Sequence, residues 1–116
     1  MNKICTDTKQ SQKLIELGID VNTADMCWQN NEFPIGFNDD DAIPAWSLSA
    51  LLDLLPNHIK VGRCITFLNI YKRLNYGWVI EYLDIKEDIA KYSFDGHILI
   101  DVCYKMIIKL KEQKLL

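Results

Sequence analysis

The chain has 116 residues, 49% of them hydrophobic and 25% charged, with a formal net charge of -3. The 29 Ile and Leu, against five Gly and three Pro, exclude a disordered or collagen-like chain, and the length suits one hydrophobic core. No apolar run approaches the roughly 18 residues of a membrane span, and an acidic balance argues against a general nucleic-acid binder.

The first predicted element is a helix over residues 8–17. Asp7 is its N-cap, and Gln10 three residues on completes a capping box. Leu14, Ile15 and Leu17 give the apolar side, and Gly18 stands where a helix ends on a left-handed residue. Thr23 is expected to cap a single helical turn through Ala24 and Trp28. Residues 29–45 are the most irregular stretch. Phe33, Ile35 and Phe37 alternate with Pro34 and Gly36, which predicts a short edge strand, and the run Asn38-Asp39-Asp40-Asp41 predicts a loop tip. Ser47 is the expected N-cap of a second helix over 48–55, with Leu48, Leu51, Leu52 and Leu55 at helical spacing and Pro56 ending it.

From residue 58 the pattern changes to strands. The run from Cys64 to Tyr71 is rich in β-formers, and both of its sides are apolar: Ile65 and Phe67 on one, Leu68 and Ile70 on the other. Trp78, Ile80 and Tyr82 share one face of the next strand, and Ile89 to Phe94 form a third. Tyr82, Ile85, Ile89 and Tyr92 also fit a helix across 82–92, so that alternative stays open here. The last helix is expected from about Gly96 to Lys114. Leu99, Cys103, Met106, Ile107 and Leu110 form its core stripe, and Ile100, Tyr104, Ile108 and Leu115 form an unusually wide apolar flank.

The fold expected is therefore a single α+β domain over 1–116: a three-stranded antiparallel meander packed with about three helices, including a long C-terminal one.

Familiar catalytic patterns are absent from the sequence. No glycine-rich phosphate cradle and no Gly-x-Ser-x-Gly elbow occurs. The acidic run fails as a calcium loop: counting from Asn38, position 6 is Ile43 instead of Gly, and position 12 is Ser49 instead of Glu. Asp84, Glu87 and Asp88 read as solvated turn carboxylates. The cysteines Cys5, Cys27, Cys64 and Cys103 form no Cys-x-x-Cys pair and have no metal-ligand spacing to His58 or His97. The segment Met1 to Asp7 lacks the apolar stretch of a signal peptide, which predicts a cytoplasmic protein with reduced, mostly buried thiols. No catalytic, cofactor-binding or metal-binding residue is expected.

Charge is unevenly spread. Residues 1–59 carry -6 and residues 60–116 carry +3. In the basic half, Lys60, Arg63, Lys72, Arg73, Tyr76 and Trp78 are the one group whose composition fits nucleic-acid recognition, by base stacking beside cations.

Two segments carry a resemblance. One is Thr23-Ala24-Asp25-Met26-Cys27-Trp28, and the other runs from Ile43-Pro44-Ala45-Trp46-Ser47 to Pro56. With Gln10 to Asp20, and again around Leu99-Ile100-Asp101-Val102-Cys103, they resemble a family of short uncharacterised proteins of gut Bacteroides-type bacteria, their phages and mobile elements. The resemblance implies an intracellular accessory protein, encoded by a phage or integrated element. It implies no activity and no site residue.

The function expected is a small non-enzymatic interaction module that self-associates, with a protein partner or a second copy on Ile100, Tyr104, Ile108, Leu115 and Leu116. The alternative is a nucleic-acid accessory protein using the basic and aromatic group. A small enzyme is the third reading, and it requires a concave pocket with convergent polar groups.

Overall fold

A computed structural model describes residues 3–29, 33–35, 42–75 and 77–116. Its contacts divide the chain into two compact units, Met1–Leu54 and Leu55–Leu116. The single domain expected over 1–116 is accordingly described unit by unit. The α+β class holds, with three α-helices and two antiparallel sheets among the described residues.

The first unit opens with α1 (Thr8–Glu16). The Asp7 carboxylate accepts from the Gln10 amide at 2.7 Å, and the Gln10 side chain accepts from the Asp7 amide at 3.0 Å. This is the capping box read from the sequence. At the other end Gly18 takes φ +90°, and the Ile19 and Gly18 amides donate to Leu14 and Ile15 carbonyls, both at 3.0 Å. Glycine suits that left-handed position because it has no Cβ to clash.

The helical turn expected over 24–28 is not formed. Val21–Thr23 makes a 3₁₀ turn, and Met26–Gln29 is a strand, β1. The physical reason is that Thr23 is engaged elsewhere: its hydroxyl donates to the Asp20 carbonyl and accepts from the Trp46 indole at 2.9 Å. The freed segment instead pairs on both sides. β2 (Phe33–Ile35) and β3 (Ile43–Ala45) flank β1 antiparallel, with Pro34 opposite Trp28 and Pro44 opposite Cys27. Proline has no amide to donate, so each proline-bearing segment takes an outer position and the proline-free one the centre. The expected edge strand is thus present as Phe33–Ile35. Phe37 and the acidic run Asn38 to Asp41 lie outside the described residues.

α2 (Leu48–Leu54) follows, its Ser47 hydroxyl accepting from the Ala50 amide at 3.2 Å as expected. Asp25 holds that cap in turn, accepting from the Ser47 amide at 2.8 Å and from the Ser47 hydroxyl. Thr6 is the hub of the unit. Its amide donates to the Trp46 carbonyl at 2.9 Å, and its hydroxyl accepts from the Trp46 amide at 3.1 Å and meets the Ser11 hydroxyl at 2.7 Å. Its carbonyl accepts from the Trp28 indole at 2.9 Å.

The second unit is a meander of four strands, ordered β4 (His58–Val61), β5 (Cys64–Arg73), β6 (Gly77–Asp84) and β7 (Ile89–Gly96). Three strands were expected; the fourth is His58–Val61, which folds back on β5 through Gly62 and Arg63. Residues 82–92 are strand, turn and strand, so the helical alternative falls. The Asp84 carboxylate decides this locally by accepting from the Lys86 and Glu87 amides at 3.1 and 3.4 Å, which reverses the chain. Gly77 has φ +78°, and a Cβ there would lie 2.5 Å from the Gly96 carbonyl oxygen, so this position admits glycine alone.

α3 (Leu99–Glu112) packs on β6 and β7. It begins three residues later than expected, because Gly96 still pairs with Trp78 in the sheet. Ile100, Val102, Cys103, Met106, Ile107 and Leu110 are buried along it.

Candidate functional site

The register of the meander sorts its side chains onto two faces. Ile70 lies opposite Ile80 and Leu68 opposite Tyr82, and on the far side of β6 these face Phe94 and Tyr92. This is the face that α3 covers. Phe94 lines a groove with Tyr104 and Ile108 of α3, and the Lys109 ammonium stands 5.6 Å from the Tyr92 ring centre. Ile80 and Tyr82 are fully buried there, and the Tyr82 hydroxyl donates to the Pro56 carbonyl at 2.7 Å. Burial pushes that phenol well above its usual range.

The opposite face carries Ile65 and Phe67, which are 55% and 44% exposed. Ile85, in the turn after β6, is 64% exposed and lines the same hollow as they do. The two-sided apolar character read from residues 64–71 is therefore real: Ile65 and Phe67 stay exposed, although Val79 on their own face is buried.

The expected interface set divides. Ile100 is 4% exposed and belongs to the core, so it offers nothing outward. The cause is the width of the buried arc: α3 sinks a third row of side chains as it crosses β6 and β7. Leu115 and Leu116 leave the helix line altogether. The chain turns at Lys114, φ +59°, and the Leu115 amide closes on the Leu110 carbonyl at 2.8 Å. Tyr104 and Ile108 remain together, half-buried, on the flank above β7. Phe94 joins them across a shallow groove of about 270 Å³, which Lys105, Lys109 and Glu112 complete. Sequence reasoning missed Phe94 because its partners lie on another element. The signal available was its strand parity with Tyr92, which places both on one face.

The groove lies at a sheet edge. β7 is the last strand in the order, eight residues long, and no described strand pairs with its outer side. The other outer strand, β4, has four residues. β7 carries a bulge near its start, where Tyr82 pairs with Tyr92 but Leu83 pairs with Ala90. Beyond it, the backbone from Tyr92 to Gly96 is in regular register.

The basic and aromatic group does not assemble. Lys60 lies opposite Ile65 and Arg63 lies in the adjoining turn, whereas Lys72 and Arg73 end the same strand. Seven residues of strand separate the two pairs, about 23 Å at ~3.3 Å each. Lys72 and Arg73 also fall on opposite faces, and the Trp78 ring is occupied by the Lys72 ammonium at 5.6 Å. Tyr76 lies outside the described residues.

Three of the thiols and the Asp84 carboxylate are committed to structure. Burial pushes the Cys5 and Cys103 thiols up to about 11, and a hydrogen bond to the Asp84 carboxylate raises Cys64. Thiols held protonated at neutral pH are weak nucleophiles. Asp84 itself is buried and holds its turn, while Glu87 and Asp88 are exposed. Among the described residues no three His, Cys, Asp or Glu gather as a metal site, and no helix is long and apolar enough to cross a membrane. What the arrangement offers chemically is apolar area beside a strand edge that has no strand partner among the described residues. Comparison of the chain with known protein families, with curated proteins and with solved structures gives no match.

Proposed function

We propose that this protein is a non-enzymatic interaction module that self-associates through the β7 side of its second unit. One observation carries the reading: Phe94, Tyr104 and Ile108 form an apolar groove directly beside a strand whose outer edge has no partner among the described residues. An edge strand with apolar neighbours is a template for pairing with another chain. The Cys5 and Cys103 thiols are engaged in packing and the Asp84 carboxylate in its turn, which supports a binding role over a chemical one. In the accessory context that the resemblance implies, such a module acts by assembling.

Analytical ultracentrifugation over a concentration series tests this. The wild-type chain is expected to be dimeric at high micromolar concentration. Tyr104→Asp, which puts a charge into the groove, is expected to be monomeric with an unchanged circular dichroism spectrum. Phe67→Glu, exposed on the opposite sheet face, is expected to leave the dimer intact. A wild-type monomer throughout the series overturns the reading, as does a dimer lost in Phe67→Glu but kept in Tyr104→Asp.

A further inference from the structure

We infer that the end of the meander where β5, β6 and β7 meet binds a phosphate monoester of a small molecule, held by Arg73 and His97 across Gly77. The site shares no lining residue with the Phe94 groove, and it does not depend on the self-association reading.

The backbone builds the site first. Arg73 ends β5 opposite Gly77, the first residue of β6. A Cβ on Gly77 would stand 2.5 Å from the Gly96 carbonyl oxygen and 2.9 Å from the His97 Cα. That close approach, open to glycine alone, brings the chain leaving β7 against the start of β6. Arg73, Gly77 and His97 thus follow one another across the ends of the strands. Two strand spacings separate the first from the last, about 9.6 Å at ~4.8 Å each. The position between them carries no side chain.

The lining then sets the charge. A hollow of about 450 Å³ is bordered by Lys72, Arg73, Leu74, Asn75, Gly77 and His97, and none of these is a carboxylate. Asp95, the acid nearest to His97 in the chain, is exposed and outside the lining. The Lys72 ammonium stands 5.6 Å from the Trp78 ring centre, and a ring quadrupole attracts a cation without neutralising it. Arg73 presents a planar fork of donors that matches phosphate oxygens two at a time. His97 offers an N–H in either protonation state.

Size and setting select the ligand. Small-molecule sites run to roughly 300–1,000 Å³, so this hollow admits a phosphate together with part of the body it esterifies. Leu74, 87% exposed, gives that body an apolar wall, and Asn75 gives it a polar one. A nucleic-acid strand fits less well, because it needs cations in a track along its backbone. The other cations of the basic group, Lys60 and Arg63, lie at the far end of β5, about 23 Å away. Charge gathered at one point fits one terminal phosphate.

Chemical-shift titration of the isotope-labelled chain at low ionic strength tests this with adenosine monophosphate, adenosine and an unphosphorylated oligothymidylate. The monophosphate is expected to shift the Leu74, Gly77 and His97 amides saturably, with half-saturation at about millimolar concentration. Adenosine, which lacks the phosphate, is expected to leave them in place. Arg73→Gln is expected to weaken the monophosphate about tenfold, and Arg73→Lys less, with amides elsewhere unmoved. Lys60→Gln, at the far end of the strand pair, is expected to change nothing. No shift with the monophosphate at those amides overturns the site, as does binding that survives Arg73→Gln, binding lost in Lys60→Gln, or adenosine acting as its monophosphate does. Shifts with oligothymidylate and none with the monophosphate also overturn it, and assign the hollow to a nucleic-acid strand instead.

Discussion

The two units of this chain hold themselves together by different means. In Met1–Leu54 the strands have only three or four residues, and the fold is pinned by polar side chains acting over long sequence separations. Thr6 ties the first helix to Trp46 and Trp28, Thr23 ties the 3₁₀ turn to Trp46, and Asp25 ties β1 to the cap of α2. In Leu55–Leu116 the strands are long enough to hold one another by their ladders, and one helix seals a single face with apolar side chains. Short strands cannot define their own register, so specific hydrogen bonds must do it. Long strands define it by repetition, and their side chains are left available for packing on one face and exposure on the other. The proposed interface is in the laddered unit.

Removing a pin should therefore be costly. The largest effect is expected for Trp46→Ala, which empties a fully buried site and removes the indole that donates to the Thr23 hydroxyl. Loss of a buried tryptophan costs about 3–5 kcal/mol. Urea unfolding followed by circular dichroism would measure it, and a loss under 1 kcal/mol would show that the unit is not organised around this side chain.

Thr6→Val sharpens the contrast, because it keeps shape and removes only hydrogen bonding. It leaves the Trp46 amide and the Ser11 hydroxyl without their buried partner. The expected cost is about 1–3 kcal/mol, and amide exchange should accelerate at Trp46 while the meander amides are unchanged. Uniform acceleration in both units would break the comparison.

The smallest effect is a gain. α1 and α3 end with the same pattern of closing bonds, but the left-handed residue is Gly18 in one and Lys114 in the other. A non-glycine residue is strained there. Lys114→Gly is expected to stabilise by about 0.5–1 kcal/mol, seen as a higher urea midpoint with unchanged slope. A loss of stability would mean that the lysine side chain does more than cap.

Legibility in the sequence followed the range of the signal. The capping box of α1, the glycine that ends it and the serine that starts α2 are written within four residues of where they act. Each was readable. The strand at Met26–Gln29 was not, because Thr23 has the same composition whether it caps a turn or receives an indole from 23 residues away. His58–Val61 is not legible as a separate strand because four residues are too few to show a period. The glycine in the turn that follows was the available sign of a hairpin. For the candidate site, the amphipathic excess of the last helix was visible as Tyr104 and Ile108. Ile100 was misplaced because the same excess can be absorbed by a broad buried arc.

By itself the sequence determined the class of the protein, the N-caps of its first two helices and the presence of more apolar surface than one helix face can use. These follow from local backbone chemistry and from period, which neighbouring residues express alone. The tertiary structure decided which residues of 82–92 extend, which face of the meander is covered, and which apolar side chains remain at its edge. Those outcomes depend on pairing between segments far apart in the chain, and the free energy of such pairing is a property of the assembled neighbours.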